Sequence, residues 1–257
     1  MNLWFDHGTG IGGNLIDFGI LYHRCPVKEL LNKLGSEKRG ISSFHPQPQV
    51  EIKETQKEEQ KIRITDSREI KDPGLREYLG ERKIPLIIAN RYCSEVEFEL
   101  YGKRYLAIGF KNNSGGYELR SSYFKGSSSP KDITSIKHGG EKLSVFEGFF
   151  DFLSFQVQQL SHKNLIRDLP KLQGDYLILN SISFFEKSRQ LMEIYFRIQL
   201  FLDRDERGID CTRSALLWSE KFVDGSLRYS EFKDLNESLI GQSEQELKKD
   251  LRLKPRF

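Results

Sequence analysis

Acidic residues fall at two places where an apolar run gives way to glycine: Val145-Phe146-Glu147-Gly148-Phe149-Phe150-Asp151 and Leu200-Phe201-Leu202-Asp203-Arg204-Asp205-Glu206-Arg207-Gly208. Each reads as a short buried strand that ends in carboxylates and turns sharply into a helix. In an open α/β sheet the carboxyl ends of the strands form the ligand crevice, so Glu147, Asp203 and Asp205 can converge there although they are far apart in the chain. Three converging carboxylates require a cation. Hard ions such as Mg²⁺ take oxygen ligands, commonly one or two carboxylates together with substrate phosphates. Asp203 and Asp205 lie two residues apart at a strand end and can face the same side. Taken alone, Asp-x-Asp at a strand end also fits a helix N-cap with a surface salt bridge. The two clusters together, in an alternating α/β setting, favour the metal site.

The elements that must position these residues are legible in the surrounding pattern. Leu143–Phe146 reads as an apolar strand, 149–160 as a helix, 176–179 as a second buried strand and 184–194 as a helix. A strand over 197–202 and a helix over 208–222 follow, and alternation of this kind builds a mostly parallel sheet with helices on its faces. Upstream, Asp72-Pro73 opens a helix through Arg82, with proline in the first turn where its missing N–H is harmless. Val96, Phe98 and Leu100 then alternate with Glu95, Glu97 and Glu99 before Tyr101-Gly102, and a second hairpin signal lies at 112–116, so an antiparallel meander is expected over 95–124.

Ahead of that helix, residues 36–66 are polar and charged, with Pro46 and Pro48, and read as a linker. The front unit, 1–35, holds glycines 8, 10, 12 and 13, then an apolar-periodic stretch from Leu15 with Asn14 as its N-cap, and a short helix from Val27 to Leu34 after Pro26. Five segments result: 1–35, 36–66, 67–138, 139–241 and a charged tail, 242–257.

Composition narrows the function class. The chain has 257 residues, enough for a well-buried core, and 40 basic against 37 acidic residues, so any basic surface must be local. Cys25, Cys93 and Cys211 form no Cys-x-x-Cys, which suits a reducing compartment. No apolar run reaches the roughly 20 residues of a membrane span, and the expectation is a soluble cytoplasmic protein. There is no P-loop sequence, and the glycine string near the N-terminus follows no adequate strand, so neither nucleotide-driven unwinding nor dinucleotide binding is expected.

Glu-Gly-Phe-Phe-Asp at 147–151, followed downstream by Asp-Arg-Asp-Glu-Arg-Gly at 203–208, resembles the Toprim domain of bacterial primases, topoisomerases and some nucleases. The resemblance implies a Rossmann-like Toprim fold over 139–241 preceded by a small α+β meander subdomain. By position it makes Glu147 the catalytic glutamate beside the reacting phosphate and Asp203 and Asp205 the metal pair, with Asp151 auxiliary. Asp234 and Asn236, in Lys233-Asp234-Leu235-Asn236, resemble a segment that follows the metal pair in primase-like members and are auxiliary too. Tyr117–Arg120 and Tyr123-Phe124-Lys125-Gly126 resemble the primase subdomain that grips template and nucleotide, which makes Arg120, Lys125 and Lys131 phosphate contacts, joined by Arg207 after the metal pair. The front unit resembles the back half of a primase zinc ribbon, but Asp6 and Thr9 stand where cysteines belong, and His7, His23 and Cys25 make a poor ligand set, so zinc is not expected.

The expected activity is primase-like nucleotidyl transfer on single-stranded DNA from nucleoside triphosphates with Mg²⁺ or Mn²⁺. The resemblance extends to short primases of bacterial mobile elements and to a separate replicative helicase as partner. Two rivals share the fold: a Toprim nuclease using water as nucleophile, and a non-catalytic DNA-binding accessory factor.

Overall fold

The computed structural model describes residues 3–6, 11–23, 27, 29–30, 62–161 and 174–243. The chain divides into two units, Met1–Gln56 and Lys57–Phe257. In the first, β1 (Leu3–Asp6) pairs antiparallel with β2 (Ile11–Asn14), and α1 (Leu15–His23) starts directly after Asn14, where the N-cap was expected. A Cβ on Gly19 of α1 would lie 2.7 Å from Leu30 Cδ2, so glycine permits the close approach that buries Leu30. Val27, Glu29 and Leu30 are helical, while the remainder of the expected 27–34 helix, His7, Cys25 and most of the charged linker lie outside the described residues.

The second unit opens with a five-stranded antiparallel sheet. Its strands β3 (Arg63–Arg68), β4 (Cys93–Leu100), β5 (Lys103–Lys111), β6 (Tyr117–Arg120) and β7 (Lys125–Ser127) lie in chain order. The β4–β5 turn has Tyr101 at φ 55° and Gly102 at φ 72°, the two left-handed residues a tight hairpin requires. The meander is therefore longer than expected at both ends. Strand β3 begins inside the stretch read as linker. It is an edge strand with nearly every residue exposed, so it carries no apolar alternation to detect.

Between β3 and β4 lie α2 (Pro73–Glu81), capped by Asp72 accepting from Leu75 N at 2.9 Å, and α3 (Leu86–Tyr92), which the sequence pattern did not signal. Val96, Phe98, Ala107 and Leu119 bury one face of the sheet. Ile108 and Phe110 bury the other against α2, α3 and the next subdomain.

That subdomain is a mixed sheet in the order β12-β11-β9-β10-β8. Strands β9 (Lys142–Phe146), β10 (Asp175–Ile178), β11 (Arg197–Phe201) and β12 (Phe222–Asp224) are parallel to their neighbours among themselves, and β8 (Thr134–Ile136) runs antiparallel to β10. Helix α4 (Phe149–Ser161) follows β9. The single helix expected over 184–194 is instead two 3₁₀ turns, Ile182–Phe184 and Glu186–Ser188, and a short α5 (Arg189–Glu193). Ser181 accepts from Ser183 N and fully buried Phe185 stacks on Trp218, which ties the segment down turn by turn. The helix expected over 208–222 is α6 (Glu206–Trp218): Asp205 starts it two residues earlier, and Ser219, in extended backbone, ends it so that Phe222 opens β12. Residues 235–243 form a last helix, α7, and 244–257, most of the expected tail, are outside the described residues.

Aromatic rings join the two sheets. Phe110 of β5 stacks on Phe149 of α4 with centroids 5.1 Å apart, and Phe146 of β9 stacks on Phe201 of β11 at 5.0 Å. The ends of β9 and β11 are thereby fixed against the antiparallel sheet. Among the described residues no helix is long and apolar enough to cross a membrane.

Candidate active site

Strands β9 and β11 are hydrogen-bonded neighbours with Phe146 opposite Phe201, so the residues that leave their carboxyl ends emerge side by side. Glu147 comes from the first and Asp203 from the second, and Asp203 N donates to Glu147 Oε2 at 3.4 Å. A Cβ at Gly208 would lie 2.0 Å from the Asp203 carbonyl oxygen, so only glycine lets α6 begin this close to the strand end. Asp205 N-caps that helix, its Oδ1 accepting from Gly208 N at 3.0 Å. Asp151, in the first turn of α4, is buried and accepts from Asn236 N at 3.2 Å. Asp234 caps α7 by accepting from Glu237 N at 2.7 Å.

The electrostatics of this cluster are unbalanced. Burial, then the neighbouring Asp203 charge, pushes Glu147 up to about 7. Burial and Asp234 push Asp203 up to about 6, opposed by Lys233, whose Nζ lies 3.8 Å from Asp203 Oδ2. Asp151 is held well above the usual carboxylate range by burial and by Asp234 and Asp203. Like charges crowded in a poorly solvated place produce such shifts.

Glu147, Asp151, Asp203 and Asp234 form one side of a cleft of about 620 Å³. Arg82, Arg120 and Lys125 of the antiparallel subdomain also line it. Arg120 Nη1 donates to the Leu119 and Gly126 carbonyls, Nη2 sits 3.5 Å from Glu118, and the guanidinium lies over the Phe149 ring. Burial lowers the Arg120 pKa, the Glu118 charge opposing it. The Arg82 guanidinium lies over both Tyr78 and Phe150 and donates to Asn236 Oδ1 at 3.1 Å.

Of the residues singled out in the sequence, the cleft brings together Glu147, Asp151, Asp203, Asp234, Asn236, Arg120 and Lys125. Asn236 is a joint between elements: its amide donates to Arg82 O and Ser154 Oγ while its oxygen accepts from Arg82. Asp205, the α6 cap, is exposed and does not line the cleft. Lys131 and Arg207 are exposed and do not line the cleft. Sequence reasoning missed Arg82 and Lys233: the first ends a helix without a motif, and the second was seen only as a flank of the Asp234 segment.

The donors are all hard carboxylate oxygens, and their mutual repulsion is what a divalent cation would relieve, so the residue set fits such an ion chemically. As the side chains stand, no group of three or more His, Cys, Asp or Glu among the described residues is gathered closely enough to form a ligand set.

Comparison with known proteins bears on the two sheets separately. Residues 144–239 match the family model described as Toprim-like, and residues 64–129 match a domain of unknown function, DUF8464. No curated protein matches the chain in sequence. Among solved structures, the chain is similar to the primase fragment of the bacteriophage T7 primase-helicase protein, with 17% identity and a TM-score of 0.49 over 84% of this chain and 85% of that one. It is also similar to the zinc-binding and RNA polymerase domains of the Aquifex aeolicus primase, with 14% identity and a TM-score of 0.42 over 96% of this chain and 72% of that one. The acidic strand ends of the mixed sheet thus lie within the stretch that matches the Toprim-like model, and the antiparallel α+β subdomain supplies Arg82, Arg120 and Lys125 to the cleft.

Proposed function

We propose that the chain is a primase-like nucleotidyltransferase that builds a primer on single-stranded DNA from nucleoside triphosphates, using Mg²⁺ or Mn²⁺ held by Glu147, Asp203 and Asp205. The observation that carries this reading is the cleft itself, in which under-solvated carboxylates at Toprim-like strand ends share one cavity with four cationic side chains, Arg82, Arg120, Lys125 and Lys233. A bound divalent ion there would draw in the triphosphate and offset charge developing on the leaving group.

The chain's own residues do the rest. Paired strand ends hold Glu147 and Asp203 adjacent, so neither acid must be ordered when substrate arrives. In this mechanism Glu147 would accept the proton of the attacking hydroxyl. Lys125, exposed, and Arg82 and Arg120, braced on aromatic rings, bind phosphate oxygens. Asp151 and Asp234 deepen the negative potential, and Lys233 keeps Asp203 from excess repulsion. On this reading 67–138 is the binding subdomain and 139–241 the catalytic one. The ribbon remnant at 1–35, a separate helicase and a mobile-element source rest on the sequence resemblance alone.

Calorimetric titration of Mn²⁺ into the parent and an Asp203→Asn/Asp205→Asn variant tests the centre. Binding by the parent alone supports the reading, and primer synthesis on single-stranded DNA should follow it. Failure of both to bind leaves the accessory role. Strand cleavage in place of synthesis moves the assignment to a nuclease.

A further inference from the structure

Tyr123 is the largest aromatic side chain presented to solvent beside the cleft, with 67% of its surface exposed, and nothing in the proposed chemistry uses it. It sits in the turn between β6 and β7, closed by Ser121 N donating to Phe124 O at 2.9 Å. Exposed tyrosines ordinarily sample several rotamers, but this one is tethered: its hydroxyl donates to Leu106 O at 3.0 Å. Leu106 lies on β5 beyond the last β5–β6 pair, Ile108 opposite Arg120, so the phenol takes a carbonyl that β6 does not reach. The ring is therefore both exposed and fixed.

The same side chain lines two hollows. One is the active cleft, and the other, about 520 Å³, is bounded by Asp72, Glu97, Arg104, Tyr105 and Leu106. Tyr123 stands between them. The second hollow holds two acids, both already engaged. Asp72 caps α2, and the Glu97 carboxylate has Arg104 Nη1 at 3.4 Å and Arg68 Nη1 at 3.8 Å. A free phosphate gains little there. A neutral, flat, polar group gains the ring face and the surrounding donors and acceptors. The exposed cation Lys125, on the cleft side of the ring, stands ready for the backbone of the strand that carries it.

We infer that Tyr123 is a stacking post for one nucleobase of single-stranded DNA, positioned where the strand passes from the cleft into the second hollow. The inference rests on the proposed DNA-templated reaction but concerns binding alone. Stacking on an aromatic side chain tolerates every base, because each has a π-face, so the post holds the strand without reading its sequence.

The test measures fluorescence anisotropy of two labelled probes on the full chain, a single-stranded oligodeoxynucleotide of roughly a dozen residues and its abasic sugar–phosphate counterpart. The parent should prefer the base-bearing probe. Tyr123→Ala should weaken that probe roughly 5- to 150-fold and leave the abasic probe unchanged. Tyr123→Trp should retain the preference, which separates ring stacking from any folding defect, and Lys125→Gln should weaken both probes alike. Equal binding of both probes by the parent, or an unchanged preference in Tyr123→Ala, overturns the stacking post and leaves the proposed function standing. If the parent binds neither probe, both fall. Loss of Mn²⁺ binding in Asp203→Asn with the base preference intact separates the metal centre from the strand path.

Discussion

Two regions of this protein close carboxylates off from solvent to a similar degree and treat them in opposite ways. At the foot of the antiparallel sheet, Glu95 is 3% exposed and accepts from Lys71 N at 2.9 Å and Asp72 N at 2.7 Å, with Arg68 Nη2 at 2.8 Å. Burial by itself would raise its pKa, but these donors outweigh it and the group is held below the usual range. At the ends of β9 and β11, Asp151 is 7% exposed with one backbone donor and three acids acting on it, and its pKa goes up. Both are closed to solvent, but Asp151 lies deeper in the protein and has fewer donors, so depth and partners together decide the sign. A fully partnered buried acid holds the fold together, whereas a crowded one with few donors is poised for a ligand.

The comparison breaks most visibly at the reaction. Asp203→Asn should lower the proposed primer synthesis by on the order of 10²–10³-fold, the scale seen when one preorganised electrostatic contact is lost. In the cation-free protein at pH 8 the same change should leave the urea midpoint equal or higher, because it removes a source of repulsion. A lower midpoint with activity retained would make Asp203 a structural acid like Glu95.

Glu95→Ala is the converse. It leaves two backbone N–H groups and a guanidinium without their acceptor, and a loss of about 2–4 kcal/mol is expected from urea unfolding. Divalent-ion affinity of the fraction that stays folded should not move. A cost below about 0.5 kcal/mol would mean that water replaces the carboxylate and that the contrast between the regions is one of position only.

How much of this was legible in the sequence differs between the two regions. Glu147, Asp203 and Gly208 stand out because an apolar strand, an acid and a glycine follow in succession; the β9–β11 pairing brings Glu147 and Asp203 out side by side, and Gly208 packs on the Asp203 backbone. Glu95 looked like one of three solvent-facing glutamates alternating with Val96 and Phe98. Its burial depends on the 71–72 backbone folding over it, which no local pattern announces. Strand β3 hides for a related reason, since an exposed edge shows no period, and β8 and β12 are too short to show one. Lys131 and Arg207 stand close to the motifs in sequence, yet neither lines the cleft. Arg82 lacks any motif yet reaches the cleft through the packing of α2 on α4.

The pH dependence of stability should carry the same opposition. With Glu147 raised from 4.5 to about 7 and Asp203 from 3.8 to about 6, the unfolded chain ionises first as pH rises, so the cation-free fold loses stability between about 4 and 7 and levels off above. Glu95, lowered from 4.5, acts the other way: its contribution is present above that value and is lost as pH falls through its folded pKa. Thermal unfolding should therefore show a maximum on the acid side of neutrality. Glu147→Gln should flatten the decline towards pH 7, and saturating Mn²⁺ should do so in the parent. A profile that rises steadily to pH 8 without added ion would contradict the crowded-acid account.

The smallest effects are the sharpest for Asp205, whose side chain serves a helix and is also proposed for the ion. Asp72 offers the matched case, since both residues N-cap a helix through one oxygen, to Leu75 N in α2 and to Gly208 N in α6. Asp72→Ala should cost about 1 kcal/mol, the usual value of a lost cap, with no change in cation affinity. Asp205→Ser keeps a capping oxygen and removes the charge, so stability should shift by less than about 0.5 kcal/mol. If Asp205 also holds the ion, Mn²⁺ affinity falls in that variant despite the intact cap. If affinity is unchanged, Asp205 is a cap and nothing more, and the metal pair becomes Glu147 with Asp203, the two acids that adjacent strand ends bring together.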